Sequence, residues 1–224
     1  MRKFLALAAT VILGGALLIA GCGNDNKQAA SDGKQVLKIG ATAVPHAEIL
    51  EQVKPILAKD GIELKITEFT DYNTPNLALG DKEIDANFFQ HVPYMEEFAK
   101  AHKLDLVSAG GVHLEPMGLY SRKIKDLKDL PKGAKIAIPA QVPRSLDDVA
   151  LAAINTNFAL NAGLNPGKDA LAIENNDSPY VNIVTVLKGN ENDPRIKKLM
   201  AALHSPEIIK FIQEKYQGAI VPAF

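Results

Sequence analysis

Cysteine is nearly absent from this chain, whose 224 residues include only Cys22. A single cysteine cannot form an intramolecular disulfide, so the fold must be held without one. Tryptophan is missing, aromatic residues make up 6%, and the net charge is −1. This charge balance lacks the basic excess of nucleic-acid-binding proteins, so no nucleic-acid partner is expected. The remaining composition, 47% hydrophobic, is that of a globular protein with one or two domains.

The N-terminus carries a long apolar run, at residues 4–20, directly after two basic residues. The run is too short and too rich in glycine for a membrane span, and its layout is that of a secretory signal peptide. The segment Ile19-Ala20-Gly21-Cys22 resembles the lipobox of bacterial lipoproteins. That resemblance implies removal of residues 1–21 as a signal peptide and acylation of Cys22, with palmitate among the attached lipids. Residues 22–35 would then comprise the lipidated cysteine and a polar tether.

From residue 36 onward, strand-like and helix-like patterns alternate. The strand-like runs are 36–40, 64–69 and 104–107, and a helical stripe lies at 49–57. This order predicts an α/β fold with a mostly parallel sheet covered by helices. After Gly110 the extended segments lack an intervening helix, which indicates a crossing into a second lobe. The extended run 180–187 indicates the return to the first lobe.

Aromatic residues concentrate in one stretch, Ile84–Tyr94. Pro93 suits the first turn of a helix, and the residues before it suit a strand. Because ligands of α/β proteins bind outside the carboxyl ends of strands, this stretch predicts a small-molecule slot with aromatic walls. Neighbouring strand residues point to opposite faces, so at most one of Phe88 and Phe89 is expected to face the slot.

Metal binding and catalysis are two further chemistries that the residue types suggest. The histidines lie at 46, 91, 102, 113 and 204, with no closely spaced pair and no assisting cysteine, so neither a metal nor another cofactor is expected. Ser145, His91 and Asp147 contain the side chains of a hydrolase triad. However, no nucleophile-elbow glycines surround Ser145, which fits a helix cap better, and no enzymatic activity is predicted. His46 is compatible with either the cleft edge or an exposed loop.

Three motifs, in this order, resemble those of the methionine-binding lipoprotein family, also called the NlpA lipoprotein family. They are Asp85–Tyr94, Pro143–Asp148 and Ser178–Asn182. Together with the lipobox, the similarity covers nearly all of the mature chain. Members of this family are substrate-binding subunits of methionine ABC importers, and they are not enzymes.

The resemblance implies a fold, partners and a location. The fold would be a two-lobed α/β structure of the type II periplasmic-binding-protein class, with the ligand in the cleft. Residues 36–118 and 183–224 would form the first lobe, and residues 119–182 a shortened second lobe. The expected partners are the membrane subunits of an ABC importer and a ligand that is L-methionine, its D-isomer or a related amino acid. The lipid on Cys22 would anchor the protein to the cell membrane, facing the periplasm or the cell surface.

The resemblance also implies ligand-binding residues in both lobes. The matching positions are Tyr72, Phe89, His91, Tyr94, Asn155 and Asn182. The first four would enclose the methionine side chain, since a thioether packs well against aromatic edges. The two asparagines would bond the ligand's backbone groups, because an amide supplies both donors and acceptors. Phe88 is then expected in the core.

The chain departs from the family between Ala140 and Gln141, where family members have several dozen further residues. Those residues include an arginine that binds the ligand's carboxylate, and its loss could cost on the order of 2–5 kcal/mol. Arg144 is the only arginine left near that lobe's loops, and it belongs to the second motif. The alternative prediction is therefore a truncated lipoprotein with impaired or no ligand binding, acting only as a surface or interaction protein.

Overall fold

The computed structural model describes residues 35–138, 146–175 and 178–224, which belong to one compact unit, Lys34–Phe224. Several sequence predictions fall outside the described residues: the signal peptide, Cys22 and most of its tether, the Ala140–Gln141 junction, Arg144 and Ser145. In the described part of the chain, no helix is both long and apolar enough to cross a membrane.

Strands and helices alternate through the first part of the chain. They are β1 (Gln35–Thr42), α1 (Glu48–Lys59), β2 (Ile62–Phe69), α2 (Thr74–Gly80), β3 (Ala86–His91), α3 (Val92–His102) and β4 (Leu106–Leu114). The middle part contains β5 (Gly118–Tyr120), β6 (Ile136–Ala137), β7 (Leu151–Ile154), α4 (Thr156–Asn161), α5 (Pro166–Asp169) and β8 (Ala172–Ile173). The last part contains β9 (Val181–Leu187), α6 (Pro194–Leu203), α7 (Pro206–Tyr216) and β10 (Val221–Pro222). Short irregular helical turns lie at Ala43–Ala47 and Leu127–Asp129.

Over the described residues, the larger sheet has the strand order β10-β4-β9-β3-β1-β2. Strand β1 pairs in parallel with β2 and β3, but β9 runs antiparallel to both β3 and β4, as does β10 to β4. The prediction of a mostly parallel sheet is therefore wrong. Strand β4 leaves for the other lobe and β9 returns from it beside β4, so the two must run in opposite directions.

Helices α1, α6 and α7 bury their apolar faces against the larger sheet. The helical stripe predicted at 49–57 is confirmed, because Ile49, Leu50, Val53 and Leu57 are fully buried. These side chains join Leu37 and Ile39 of β1 and Leu199 of α6 in one core cluster. Helix α7 begins with the Ser205 hydroxyl accepting the Ile208 N–H. We call the part of the chain built on this sheet the first lobe.

The second lobe is built on the smaller sheet, with the order β6-β7-β5-β8 in the described residues. Its buried apolar cluster consists of Tyr120, Leu146, Ala152, Ile154 and Ala159. The sheet leaves Ile136 52% exposed and Ile173 44% exposed. Since stabilisation scales with the apolar area buried, this lobe has less to hold it than the first.

We predict that local unfolding of the second lobe costs less free energy than local unfolding of the first lobe. Replacing Ile154 by Ala should remove about 2–5 kcal/mol of packing from the small core. Amide hydrogen exchange should then accelerate in β5 and β7 while β1 stays protected. Leu37→Ala is the matched control in the first lobe, and it should accelerate amide exchange in both sheets. Equal acceleration across both sheets in Ile154→Ala would contradict the prediction.

Candidate ligand-binding site

A cavity of about 270 Å³ lies where segments of the two lobes meet. This volume suits an amino-acid-sized ligand, since the pockets that hold larger, drug-sized ligands measure roughly 300–1,000 Å³. The first lobe and the crossing segments contribute Tyr72, Phe89, Gln90, His91, Tyr94, Glu115, Met117, Tyr180 and Asn182 to its lining. The second lobe contributes Asn155, Asn157 and Glu174.

The structure brings all six predicted ligand-binding residues to this one cavity. Tyr72 follows β2, Phe89 and His91 lie on β3, and Tyr94 is in the first turn of α3. Asn155 is at the carboxyl end of β7, and Asn182 is on β9. Carboxyl ends of strands and crossing segments are where α/β proteins place their sites. The role of these six residues in binding stays a prediction.

Phe88 and Phe89 separate as the strand period requires. Phe88 is fully buried in the first-lobe core, which confirms the expectation for it, while Phe89 borders the cavity. The Phe89 ring lies 6.0 Å from that of Tyr72 and 6.2 Å from that of Tyr94, measured between centroids. The Tyr180 ring meets His91 edge-on at 4.8 Å. One wall of the cavity is therefore aromatic.

The start of α3 fixes the orientation of His91 and Tyr94. His91 is the N-cap residue, and its Nδ1 accepts the Tyr94 backbone N–H at 3.2 Å. Pro93 occupies the first turn, where its missing N–H costs nothing. The Tyr94 hydroxyl donates to the carbonyl oxygen of Tyr72 at 2.9 Å. The two rings are thus held by the backbone as well as by packing.

Tyr72 reaches from the first lobe to the second. Its hydroxyl donates to Asn157 Oδ1 at 2.9 Å, and its ring lies 5.2 Å from that of Phe158. Burial raises the pKa of the Tyr72 hydroxyl, so it remains a neutral donor at physiological pH. Nearby, Asn155 Oδ1 is buried and has no hydrogen-bond partner among the described residues. An acceptor in that state is available to a ligand donor.

Gln90 borders the cavity, but its polar atoms are already engaged in the first lobe. Its amide nitrogen contacts the side-chain oxygens of Asn76, Asn87 and Thr185 at 2.7–3.1 Å. Its oxygen accepts from the Asn76 amide at 2.8 Å. This buried network ties α2, β3 and β9 together, and a satisfied network of this kind makes a site rigid. Gln90 therefore supports the cavity wall.

Glu115 follows β4 and places a carboxylate at the base of the cavity, with its side chain 7% exposed. Its Oε1 lies 2.8 Å from His113 Nε2 and 3.2 Å from His46 Nε2. Its Oε2 accepts the backbone N–H of Asn157 at 3.1 Å. His46, for which the sequence left two placements open, is neither in an exposed loop nor on the cavity lining: it is buried behind Glu115 and Asn182, which it contacts.

The contacts of His46 decide its tautomer. Nε2 faces two acceptors, Glu115 Oε1 and Asn182 Oδ1 at 3.1 Å, so it carries the proton. Nδ1 then accepts from the Thr42 hydroxyl at 2.7 Å. Burial lowers the pKa of His46 to about 4 and that of His113 to about 3, so both rings are neutral at pH 7. Burial raises the pKa of the Glu115 carboxyl.

Among the described residues, His46, His113 and Glu115 are the group whose donor atoms could surround a metal ion, lying within 4.8 Å of one another. Imidazole and carboxylate are ordinary ligands for transition metals. However, His113 Nε2 is already hydrogen-bonded to Glu115 and His46 Nε2 to Asn182, and hydrogen bonding accounts for the arrangement without an ion.

Sequence reasoning missed half of the cavity lining: Gln90, Glu115, Met117, Asn157, Glu174 and Tyr180. Two of these carried a usable signal, since Gln90 and Tyr180 lie inside motifs already singled out. Glu115 had only a weak one, an acid at the carboxyl end of a strand. Its partners His46 and His113 are distant or unremarkable in sequence, so only the fold reveals the cluster.

The buried histidines predict that stability falls on acidification. Unfolded histidines bind protons below about pH 6.5, but folded His46 and His113 do so only near pH 4 and 3. Between these values the unfolded chain holds more protons, so lowering pH favours unfolding by roughly 1 kcal/mol per pH unit per histidine. Glu115 opposes this, because its raised pKa lets the folded state take up a proton first.

His113→Phe should therefore flatten the dependence of the unfolding free energy on pH between 6.5 and 4. Urea titrations at half-unit intervals measure that slope for both proteins. An unchanged slope in His113→Phe would show that His113 does not stay neutral in the folded state.

The chain matches one protein family over most of its length. The profile of the family described as NlpA lipoprotein matches residues 37–142 and 139–224. The methionine-binding lipoprotein MetQ of Bacillus subtilis (strain 168) is 37% identical over 275 aligned positions, covering 99% of each chain. The alignment is longer than the 224-residue chain itself.

Two solved structures are similar to most of the chain. A nutrient binding protein from Burkholderia cenocepacia bound to methionine is 35% identical, with a TM-score of 0.82, covering 84% of this chain and 100% of that one. A periplasmic substrate-binding protein of an ABC transporter from Coxiella burnetii is 37% identical, with a TM-score of 0.81 and the same coverage. The two-lobed periplasmic-binding fold is thereby confirmed. The chain belongs to the NlpA lipoprotein family and is a substrate-binding protein, not an enzyme.

Proposed function

We propose that this protein captures methionine, or a closely related amino acid, outside the cytoplasm and delivers it to an ABC importer. The observation that carries the proposal is the aromatic-walled cavity between the lobes, lined by all six residues that the family resemblance implies. The B. subtilis relative is named for methionine binding, and the B. cenocepacia structure has methionine bound.

The side chain of methionine suits the aromatic wall. Sulfur is polarizable and contacts ring edges favourably, by about 0.3–1.5 kcal/mol. Phe89, Tyr94 and His91 present edges and faces to the cavity from two elements that their backbone contacts hold in place. An anionic or strongly hydrated side chain would lose its water against these rings without gaining a partner.

The position of the cavity supports capture by lobe closure. Tyr72 bonds across to Asn157, so a contact between the lobes lies directly at the site. A ligand that touches both sides adds to that contact and favours the closed arrangement, as in other two-lobed binding proteins. An importer can then distinguish loaded from empty protein by the relation of the lobes.

Membrane attachment forms part of the proposal. The lipobox-like sequence ending at Cys22 supports lipid attachment there, which would keep the protein at the membrane where the importer subunits lie. More than one acyl chain is needed for stable anchoring, because a single chain binds membranes only marginally. The outer face of a single membrane and a periplasm are both compatible with this arrangement.

We interpret the second lobe as shorter than that of the relatives. The family profile matches in two parts that meet at residues 139–142, around the Ala140–Gln141 junction. The alignment with the B. subtilis relative also needs more positions than this chain has residues. Among the described residues that line the cavity there is no lysine or arginine. The ligand carboxylate therefore lacks a described cationic partner.

Isothermal titration calorimetry of the full chain in detergent, with L- and D-methionine, tests the proposal. We expect saturable binding of at least one isomer with a Kd below about 1 mM, equivalent to roughly 4 kcal/mol or more. No heat and no thermal shift at millimolar concentrations of either isomer would favour the alternative, a truncated lipoprotein that does not bind ligand.

A pair of phenylalanine variants shows whether binding occurs in this cavity. Phe89→Ala should weaken methionine binding about tenfold or more, since it removes a ring from the wall. Phe211→Ala removes a half-buried ring that packs on the first-lobe core away from the cavity, and it should leave the Kd unchanged. Equal effects of the two variants on the Kd would place the ligand elsewhere.

A further inference from the structure

Glu115 is a buried acid without a cationic partner in the described part of the chain. Its ion-pair distances are to His46 and His113 alone, and both rings are neutral because they are buried. Buried charges in proteins are normally paired, since desolvating an unpaired charge costs several kcal/mol. The Glu115 carboxylate therefore lacks a cationic partner among the described residues, and a cationic group of the ligand would supply one.

Hydrogen-bond donors contact the Glu115 carboxyl group, whose burial raises its pKa. His113 Nε2–H and the Asn157 backbone N–H donate to it, and hydrogen bonds to the ionised form stabilise that form. His46 Nε2 lies 3.2 Å from it. The edge of Phe88 supports both imidazoles, with ring centroids 4.6 Å from His46 and 5.3 Å from His113. The acid is thus held in one orientation at the cavity wall.

Asn155 adds a second acceptor to the cavity lining that contains Glu115. Asn155 Oδ1 is buried on the same cavity lining without a partner among the described residues. The second acid of the lining, Glu174, differs, because its oxygens already accept the Met117 backbone N–H and the Ser178 hydroxyl. Glu115 and Asn155 therefore both offer acceptors on the lining of one cavity.

We propose that Glu115 binds the ammonium group of the ligand, and that the cationic end of the ligand, more than its carboxylate, determines specificity. The proposal rests on the proposed function, because it identifies the charge contact of that same cavity. An ammonium has three donors, which match Glu115, Asn155 Oδ1 and one further acceptor. A charge-assisted contact of this kind is about twice as strong as a neutral hydrogen bond.

Asn182 completes the arrangement as a positioning residue. Its Oδ1 accepts from His46 Nε2, so its amide N–H₂ group is left to donate. A donor on the cavity lining suits the carboxylate or carbonyl end of the ligand. His46 thereby orients both the acid that would bind the ammonium and the amide that would bind the opposite end.

Three ligands that share the methionine side chain separate the two ends. L-Methioninol keeps the ammonium and replaces the carboxylate by a hydroxymethyl group, whereas 4-(methylthio)butanoate keeps the carboxylate and lacks the ammonium. Calorimetry at pH 7 on the full chain in detergent should show methioninol binding within tenfold of L-methionine. The butanoate should bind more than 100-fold more weakly. The reverse order would overturn the proposal.

Glu115→Gln keeps the shape of the side chain and removes its charge. It should weaken the binding of L-methionine and methioninol at least 30-fold, and it should reduce the difference between their affinities and that of the butanoate. Glu115→Asp restores the charge one methylene shorter, and it should recover at least threefold of the lost methionine affinity. Glu51→Gln makes the same change in net charge on an exposed helix surface and should leave all affinities unchanged.

The outcomes distinguish this inference from the proposed function. If the wild type binds methionine and Glu115→Gln binds it within threefold as tightly, the ammonium site is wrong while the proposed function stands. If the wild type binds none of the three ligands, both are wrong. Thermal melting of each variant verifies folding. If Glu115→Gln does not fold, Glu115→Asp serves as the test. Loss of its preference for methioninol over the butanoate would then overturn the ammonium site.

Discussion

The burial of the Glu115 carboxylate is the constraint on which the site depends. A buried acid needs polar contacts, and Glu115, with its side chain 7% exposed, has them in three separate places: the turn after β1, strand β4 itself and the start of α4. The first two belong to the first lobe and the third to the second lobe. One carboxylate therefore links the lobes at the base of the cavity, and Tyr72 links them again at its wall.

The return of β9 into the larger sheet places the rest of the site. Strand β9 pairs with β3 on one side and β4 on the other, and it brings Asn182 opposite both His91 and His113. That register explains how one His46 ring reaches Asn182 and Glu115 together. A hydrogen-bond network also joins strands β3 and β9 to helix α2, through the side chains of Asn76, Asn87, Gln90 and Thr185. The site is rigid on the first-lobe side for this reason.

Local patterns in the sequence were sufficient to predict which side chains of β3 face the core and where α3 begins. Alternation separated Phe88 from Phe89, and the proline at 93 marked the start of α3. Strand direction was not predictable, because periodicity is the same in parallel and antiparallel strands, and β9 proved antiparallel to its neighbours. The cluster around Glu115 was missed because His46 lies 69 residues before it and contacts it only through the fold.

A crystal structure of the full chain with L-methionine tests the central claim most directly, because it locates both ends of the ligand. We expect the thioether against Phe89, Tyr94 and His91, and the ammonium nitrogen about 2.7–2.9 Å from a Glu115 oxygen. The lobes should be joined through the ligand as well as through Tyr72. A methionine whose carboxylate points at the His46–Glu115 pair, or one bound outside this cavity, would contradict the account.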